Sequence, residues 1–223
     1  ILDNNSDDKR YKLLRNSTEY QYQKNDHNIG LYGNISKAFA ISKADWLLVL
    51  SDDDKIEISS FDFIISITCE HIILNSTSTI GNIRTKKFYT DEEILDNLPM
   101  YSCLGFISIN LYSKKIVDSF KTFIKTEKSV DHWTLFPHIK YLFMHMNLVD
   151  THSIYIPEKE YHVVWNTGNS SWDDEFMNAI RGMLYLGKYC PKYKQNIFNN
   201  FYSFYSYHLA IKRVFFHKEF NFI

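Results

Sequence analysis

The chain has 223 residues, enough for one domain with a sizeable core or for a domain with a helical extension. Apolar residues make up 45% and charged residues 23%, ordinary globular shares that exclude a disordered chain. A net charge of −1 excludes a nucleic-acid binder that works through a broad basic field.

Three cysteines, Cys69, Cys103 and Cys190, are an odd number without metal-ligand spacing, which points to buried reduced thiols and a cytoplasmic protein. No apolar run approaches the roughly 18–20 residues needed to cross a bilayer, and the first residues do not read as a signal peptide.

In chain order, residues 1–8 (ILDNNSDD) read as the end of a strand running into an Asx-rich turn. Residues 7–14 can form a short helix with aspartates favourable to its dipole, and 19–24 alternate in a strand-like pattern. A polar loop at 25–27 and a tight Asn28-Ile29-Gly30 turn follow. Helical spacing of Ile35, Ala38, Phe39 and Ser42 predicts a helix near 33–43. The apolar burst at 46–50 has the length of a buried central strand and stops abruptly at Ser51-Asp52-Asp53-Asp54. Three adjacent carboxylates repel one another and call for a counter-charge. A divalent cation supplies one, because hard cations take oxygen ligands; a solvated acidic turn is the alternative.

Further along, 59–68 reads as a helix, 71–74 and 84–89 as strands, and Asp91-Glu92-Glu93 as a helix start. Residues 104–111 are apolar and β-prone, with a helix following over 113–123. A helix over 133–146 must carry Pro137 in its first turn. A short strand at 153–156 ends at Pro157, 165–171 is a loop, and 172–186 reads as a helix. The tail over 197–216 spaces Phe201, Phe204, Tyr205, His208, Ile211 and Phe215 helically, beside Lys212 and Arg213. Such a stripe either packs on the domain or rests on an anionic membrane surface. Strands alternating with helices favour a mainly parallel sheet with helices on both faces, an α/β fold, followed by a helical carboxyl-terminal part.

Asn28-x-Gly30, Asn34, Ala44 and an apolar strand ending in aspartates resemble the nucleotide-binding half of family-two glycosyltransferases of the GT-A (Rossmann-like) fold. The span from Asn34 to Asp52 is similar in length to the abequosyltransferase-like subgroup. The resemblance is firmest over about the first 55 residues. It implies a catalytic domain over 1–165 and a helical extension over 166–223. Residues 1–8 then resemble the family's second strand, which implies that roughly 30 residues, about one βαβ unit, are missing ahead of them.

The resemblance also implies chemistry. A sugar moves from a nucleoside-diphosphate-sugar donor to a glycan or lipid-linked acceptor in surface polysaccharide synthesis, a hexosyltransferase-like reaction at the inner face of the membrane. The cofactor is Mn2+ or Mg2+. Asp53 aligns with the last aspartate of the family's DxD motif, with Asp52 near the ribose or sharing the metal and Asp54 as third ligand; Ser51 stands in the place of the usual first aspartate. Asp3 and Asn4 match the turn that contacts the nucleobase, although an ordinary Asx turn is the alternative. Asn28 and Asn34 line the nucleotide side, or serve as turn and cap residues. Gly33 replaces an arginine found in many relatives. Asp131 is the candidate general base, or an N-cap of the following helix. His132 can serve instead, with an ordinary pKa near 6.5, and the family's Glu-Asp pair is absent. His162 and the 165–171 loop can close over the donor, or His162 is structural. Two other functions fit the same pattern: a non-catalytic or truncated nucleotide-binding remnant, and a nucleotidyltransferase.

Overall fold

A computed structural model describes residues 1–5, 21–51, 54–56, 67–76, 87–127, 137–158, 163–164, 182 and 185–204. Strands β1 (Leu2–Asp3) and β2 (Gln23–Lys24) pair in parallel, Leu2 with Gln23 and Asp3 with Lys24. Helix α1 (Gly30–Ile41) follows. It starts earlier than its apolar spacing predicts, because Gly30 turns the chain at φ +71°, a conformation glycine adopts at little cost. The face chosen by the spacing is the right one, since Ile35 and Phe39 are buried.

β3 (Trp46–Leu48), β5 (His71–Ile73), β6 (Lys87–Thr90), β7 (Asn110–Ser113) and β8 (Ser153–Ile156) form one sheet in the order β3-β7-β5-β8-β6. A further small pair joins β4 (Lys55–Ile56) to β9 (Val163–Val164). The protein is therefore mixed α/β, but the five-stranded sheet departs from the expected parallel one. Among its described residues only β5 and β8 pair in parallel; the other three pairings are antiparallel. β7 inserts between β3 and β5, so β3, β5 and β8 still share one direction. Alternation of strands and helices along a chain does not reveal such an insertion.

β3 also corrects the sequence reading. Among the described residues it lies at the end of the sheet and not at its centre, and its three residues are half-buried. Apolar composition reports what covers the faces of a strand, not how many neighbours it has. The buried central strand is β5, whose three residues are all enclosed although successive side chains point to opposite faces. Residues 104–111 differ as well. They contain a 3-10 turn (Ile107–Ile109) before β7 begins at Asn110, whose side-chain amide donates to the carbonyls of Cys103 and Phe106.

Helices α4 (Lys114–Thr126) and α5 (Pro137–Leu148) pack with α1. Phe39 meets Phe120 edge-on at 4.9 Å and Tyr112 at 5.6 Å, which ties α1 and α4 to β7. Helix α2 (Asp91–Asn97) starts with a Thr90/Glu93 capping box, as its acidic first turn suggests. The short α3 (Met100–Cys103) follows it. Helix α6 (Lys194–Phe204) lies on α2, with Ile197 buried and Asn200 donating to the carbonyls of Leu95 and Leu98. The described start of the aromatic tail is thus packed on the domain; 205–216 lies outside the described residues, as do the expected helices at 7–14 and, for the most part, at 59–68 and 172–186. No helix among the described residues is long and apolar enough to cross a membrane. The three cysteines are buried and unpaired, and burial pushes the Cys69 and Cys190 thiols up to about 11.

Histidines occupy the end of the sheet where β5 and β8 begin. His71 stacks on Tyr112 at 5.0 Å and lies 5.6 Å from His152, whose Nδ1 is 2.7 Å from Asp91. Burial lowers the pKa of His71, His138 and His145, that of His138 to about 4. The two fully buried rings, His71 and His138, stay neutral in the fold just below the ordinary histidine value, where the unfolded chain takes up their protons. The stability they contribute is complete above the ordinary value of 6.5 and is lost as pH falls below it, at about 1.4 kcal/mol per pH unit for each fully buried ring. The thermal midpoint should therefore drop steeply from pH 7 to 5, and less steeply in His138→Gln, which keeps a donor for the Gly105 carbonyl. Equal midpoints at pH 7 and pH 5 in the wild type would contradict this account.

Candidate functional site

Because β1 and β2 are parallel, their carboxyl ends coincide, and the next residue of each is an asparagine. Asn4 follows Asp3, and Asn25 follows Lys24. Asn25 Nδ2 donates to Asn4 Oδ1 at 3.2 Å and to Asn34 Oδ1 at 3.1 Å. Asn4 Oδ1 also accepts the Ile29 N–H at 2.9 Å, while Asn4 Nδ2 donates to Asn28 Oδ1 at 2.8 Å and to the Gly30 carbonyl at 3.3 Å. Asn28 Oδ1 accepts the Gly30 N–H at 2.8 Å, closing the turn that starts α1. Asn4, Asn28 and Asn34 are thereby brought together by a residue the sequence reading did not nominate, Asn25, which is 4% exposed.

Asp3, the fourth expected nucleotide contact in this half, sits one residue before Asn4 and accepts the Tyr22 hydroxyl at 2.5 Å. Asn4 has both ends of its amide engaged, so it braces the turn, and contact with a base through it requires one of these bonds to open. The site faces the amino end of α1, where backbone N–H groups favour acceptor-rich groups. Gly33 stands close to Ile29: a Cβ there would meet the Ile29 side chain at 3.1 Å.

Tyr32 anchors the first turn of α1. Its hydroxyl donates to Glu127 Oε2 at 2.5 Å, Tyr141 donates to the same oxygen at 2.8 Å, and Lys140 pairs with the other carboxylate oxygen. Burial pushes Glu127 up, but hydrogen bonds from Lys140, Tyr32 and Tyr141 outweigh it and leave the carboxyl below the usual range. Burial likewise pushes Tyr141 up to about 12. Nothing in Lys125-Thr126-Glu127-Lys128 distinguishes this carboxylate from a solvated one. It immediately precedes the segment carrying Asp131 and His132, both of which lie outside the described residues.

At the carboxyl end of β3, Asp52 and Asp53 also lie outside the described residues, whereas Asp54 is described and is 7% exposed. Ser108, from the 3-10 turn that leads into β7, donates to Asp54 Oδ2 at 2.5 Å and accepts the Ser51 N–H at 3.1 Å. The antiparallel insertion of β7 puts Ser108 there, and the sequence carries no signal for that pairing. Among the described residues, no group of three His, Cys, Asp or Glu side chains could hold a metal ion.

Compared with models of known protein families and with curated proteins, the chain matches none. Asn4→Ala removes an amide that joins both strand ends to the turn. Urea unfolding should show a loss of about 1–3 kcal/mol, the range for leaving such partners unsatisfied. A loss below about 0.5 kcal/mol would show that the network is slack.

Proposed function

We propose that the protein is a glycosyltransferase of GT-A type that moves a sugar from a nucleoside-diphosphate-sugar donor to a glycan or lipid-linked acceptor. The observation that carries this reading is the convergence of Asp3, Asn4, Asn28 and Asn34 at the carboxyl ends of two parallel strands. In α/β sheets that end is where ligands bind. A second observation supports it: Asp54 and Ser108 meet just beyond β3, in the acidic segment nominated for a cation.

The hard oxygen donors of Asp52, Asp53 and Asp54 suit Mn2+ or Mg2+, and the Ser108 hydroxyl holds the Asp54 carboxylate in a fixed orientation. When bound, such an ion neutralises the charge on a departing diphosphate. The chain supplies the remaining parts. Asn28 and Asn34 orient the nucleotide, Asp3 lies beside it, and Asp131 or His132 takes the proton of the acceptor hydroxyl. An acceptor carried on a lipid would place the protein at the inner face of a membrane, in surface polysaccharide synthesis.

Calorimetric titration of UDP, GDP, ADP and CDP, with and without manganese, tests the reading. At least one should bind, and more tightly with the metal. Asp53→Asn should abolish that enhancement and leave the thermal midpoint unchanged or raised, since it relieves repulsion among three carboxylates. Absence of nucleotide binding under both conditions would make the chain a non-catalytic remnant. Release of pyrophosphate from nucleoside triphosphates would instead identify a nucleotidyltransferase.

A further inference from the structure

We infer that Asn25 and Lys37 are positioning residues that fix the sense of the amides at this site, so that Asn28 and Asn34 turn their –NH2 groups outward and receive the phosphate oxygens of the ligand. The inference rests on the nucleotide-binding reading above and assigns which part of the nucleotide lies here.

A carboxamide can face either way, and its sense is decided by neighbours that can only donate or only accept. Three donor-only neighbours border this network. The first is the Lys37 ammonium, whose Nζ lies 2.6 Å from Asn25 Oδ1. Lys37 lies on α1 one turn beyond Asn34, and helical side chains lean toward the amino end, which brings the ammonium back to Asn25. With its oxygen held by Lys37, Asn25 directs Nδ2 at Asn34 Oδ1, and the Asn34 –NH2 must face away. The other two are the Ile29 and Gly30 N–H groups. Ile29 holds Asn4 Oδ1, so Asn4 Nδ2 meets Asn28 Oδ1, which Gly30 also holds. The Asn28 –NH2 therefore also faces away.

Neither outward –NH2 meets an acceptor among the described residues. Asn28 is exposed and Asn34 half-buried, so both are open to a ligand. Two outward donors select a ligand group made of acceptors only, and a diphosphate is such a group, whereas a nucleobase offers donors as well. Reversing the Asn25 amide would reverse Asn34 and present a carbonyl to the same oxygens.

The test combines two measurements on the full chain. In the first, pyrophosphate, UDP, GDP, ADP, CDP and the four neutral nucleosides are titrated into wild type, Lys37→Met, Lys37→Arg and Asn25→Asp. Pyrophosphate and at least one diphosphate should bind the wild type. Both Lys37→Met and Asn25→Asp should weaken them about tenfold or more, the scale of one misdirected hydrogen bond to a charged group. Nucleoside binding should change little, and Lys37→Arg, which retains a donor, should stay within about threefold of wild type. The second measurement reads the sense of the amide directly, in the free protein and without a charged ligand. By NMR, the Asn34 side-chain amide protons should exchange rapidly in the free wild type and become protected in Asn25→Asp, whose carboxylate can only accept. Protected Asn34 amide protons in the wild type would overturn the inference, and so would unchanged diphosphate affinity in both variants while the wild type binds. A wild type that binds no phosphate would instead overturn the functional reading, and this assignment with it.

Discussion

The parallel pairing of β1 and β2 is the constraint on which the candidate site depends. It is only two residues long in each strand, too short to hold a register by itself. What fixes it is the amide network just beyond: Asn25 bridges Asn4 to Asn34, and Asn4 reaches the turn before α1. The same bonds thus align the strands, place the helix and direct the donors. Removing one would move the geometry of all three, which is how a polar cluster at a strand end comes to specify a site and not merely to tolerate solvent.

Rigidity comes from the other side of α1. Phe39 locks its far half against Phe120 and Tyr112 in the core. Tyr32 ties its first turn to Glu127 and, through Tyr141 and Lys140, to α5. A helix held at both ends can present its amino end in one orientation, and preorganised donors need no rearrangement when charge arrives. Glu127 is more than a strut in one respect. It is a half-buried, ionised carboxylate directly ahead of the segment that carries Asp131 and His132.

The sequence shows the local features well and the neighbour relations poorly. The Asn28-x-Gly30 turn, the Ile35/Phe39 face, the acidic start of α2 and the strand stopped by Pro157 all follow from short-range chemistry, and each is found where that chemistry places it. The order of strands does not follow from short-range chemistry. Residues 46–50 are apolar enough for a central strand, yet among the described residues β3 ends the sheet and β5 takes the centre. Ser108 and Glu127 were invisible for a related reason: each owes its surroundings to an element distant in the chain. Asn25 was more accessible. It follows an alternating segment and precedes a polar turn, and an asparagine at the end of a parallel strand is already at the edge where ligands bind.

The central claim is that the asparagine network binds the phosphate-bearing part of a nucleotide. The most direct measurement is mapping of amide chemical shifts during titration with a nucleoside diphosphate. The account predicts that the largest changes fall on the side-chain amides of Asn28 and Asn34 and on the backbone of Ile29 and Gly30, with smaller ones at Ser51 and Asp54. Changes confined to the histidine-lined end of the sheet, or none at the asparagines while the nucleotide binds elsewhere, would contradict it.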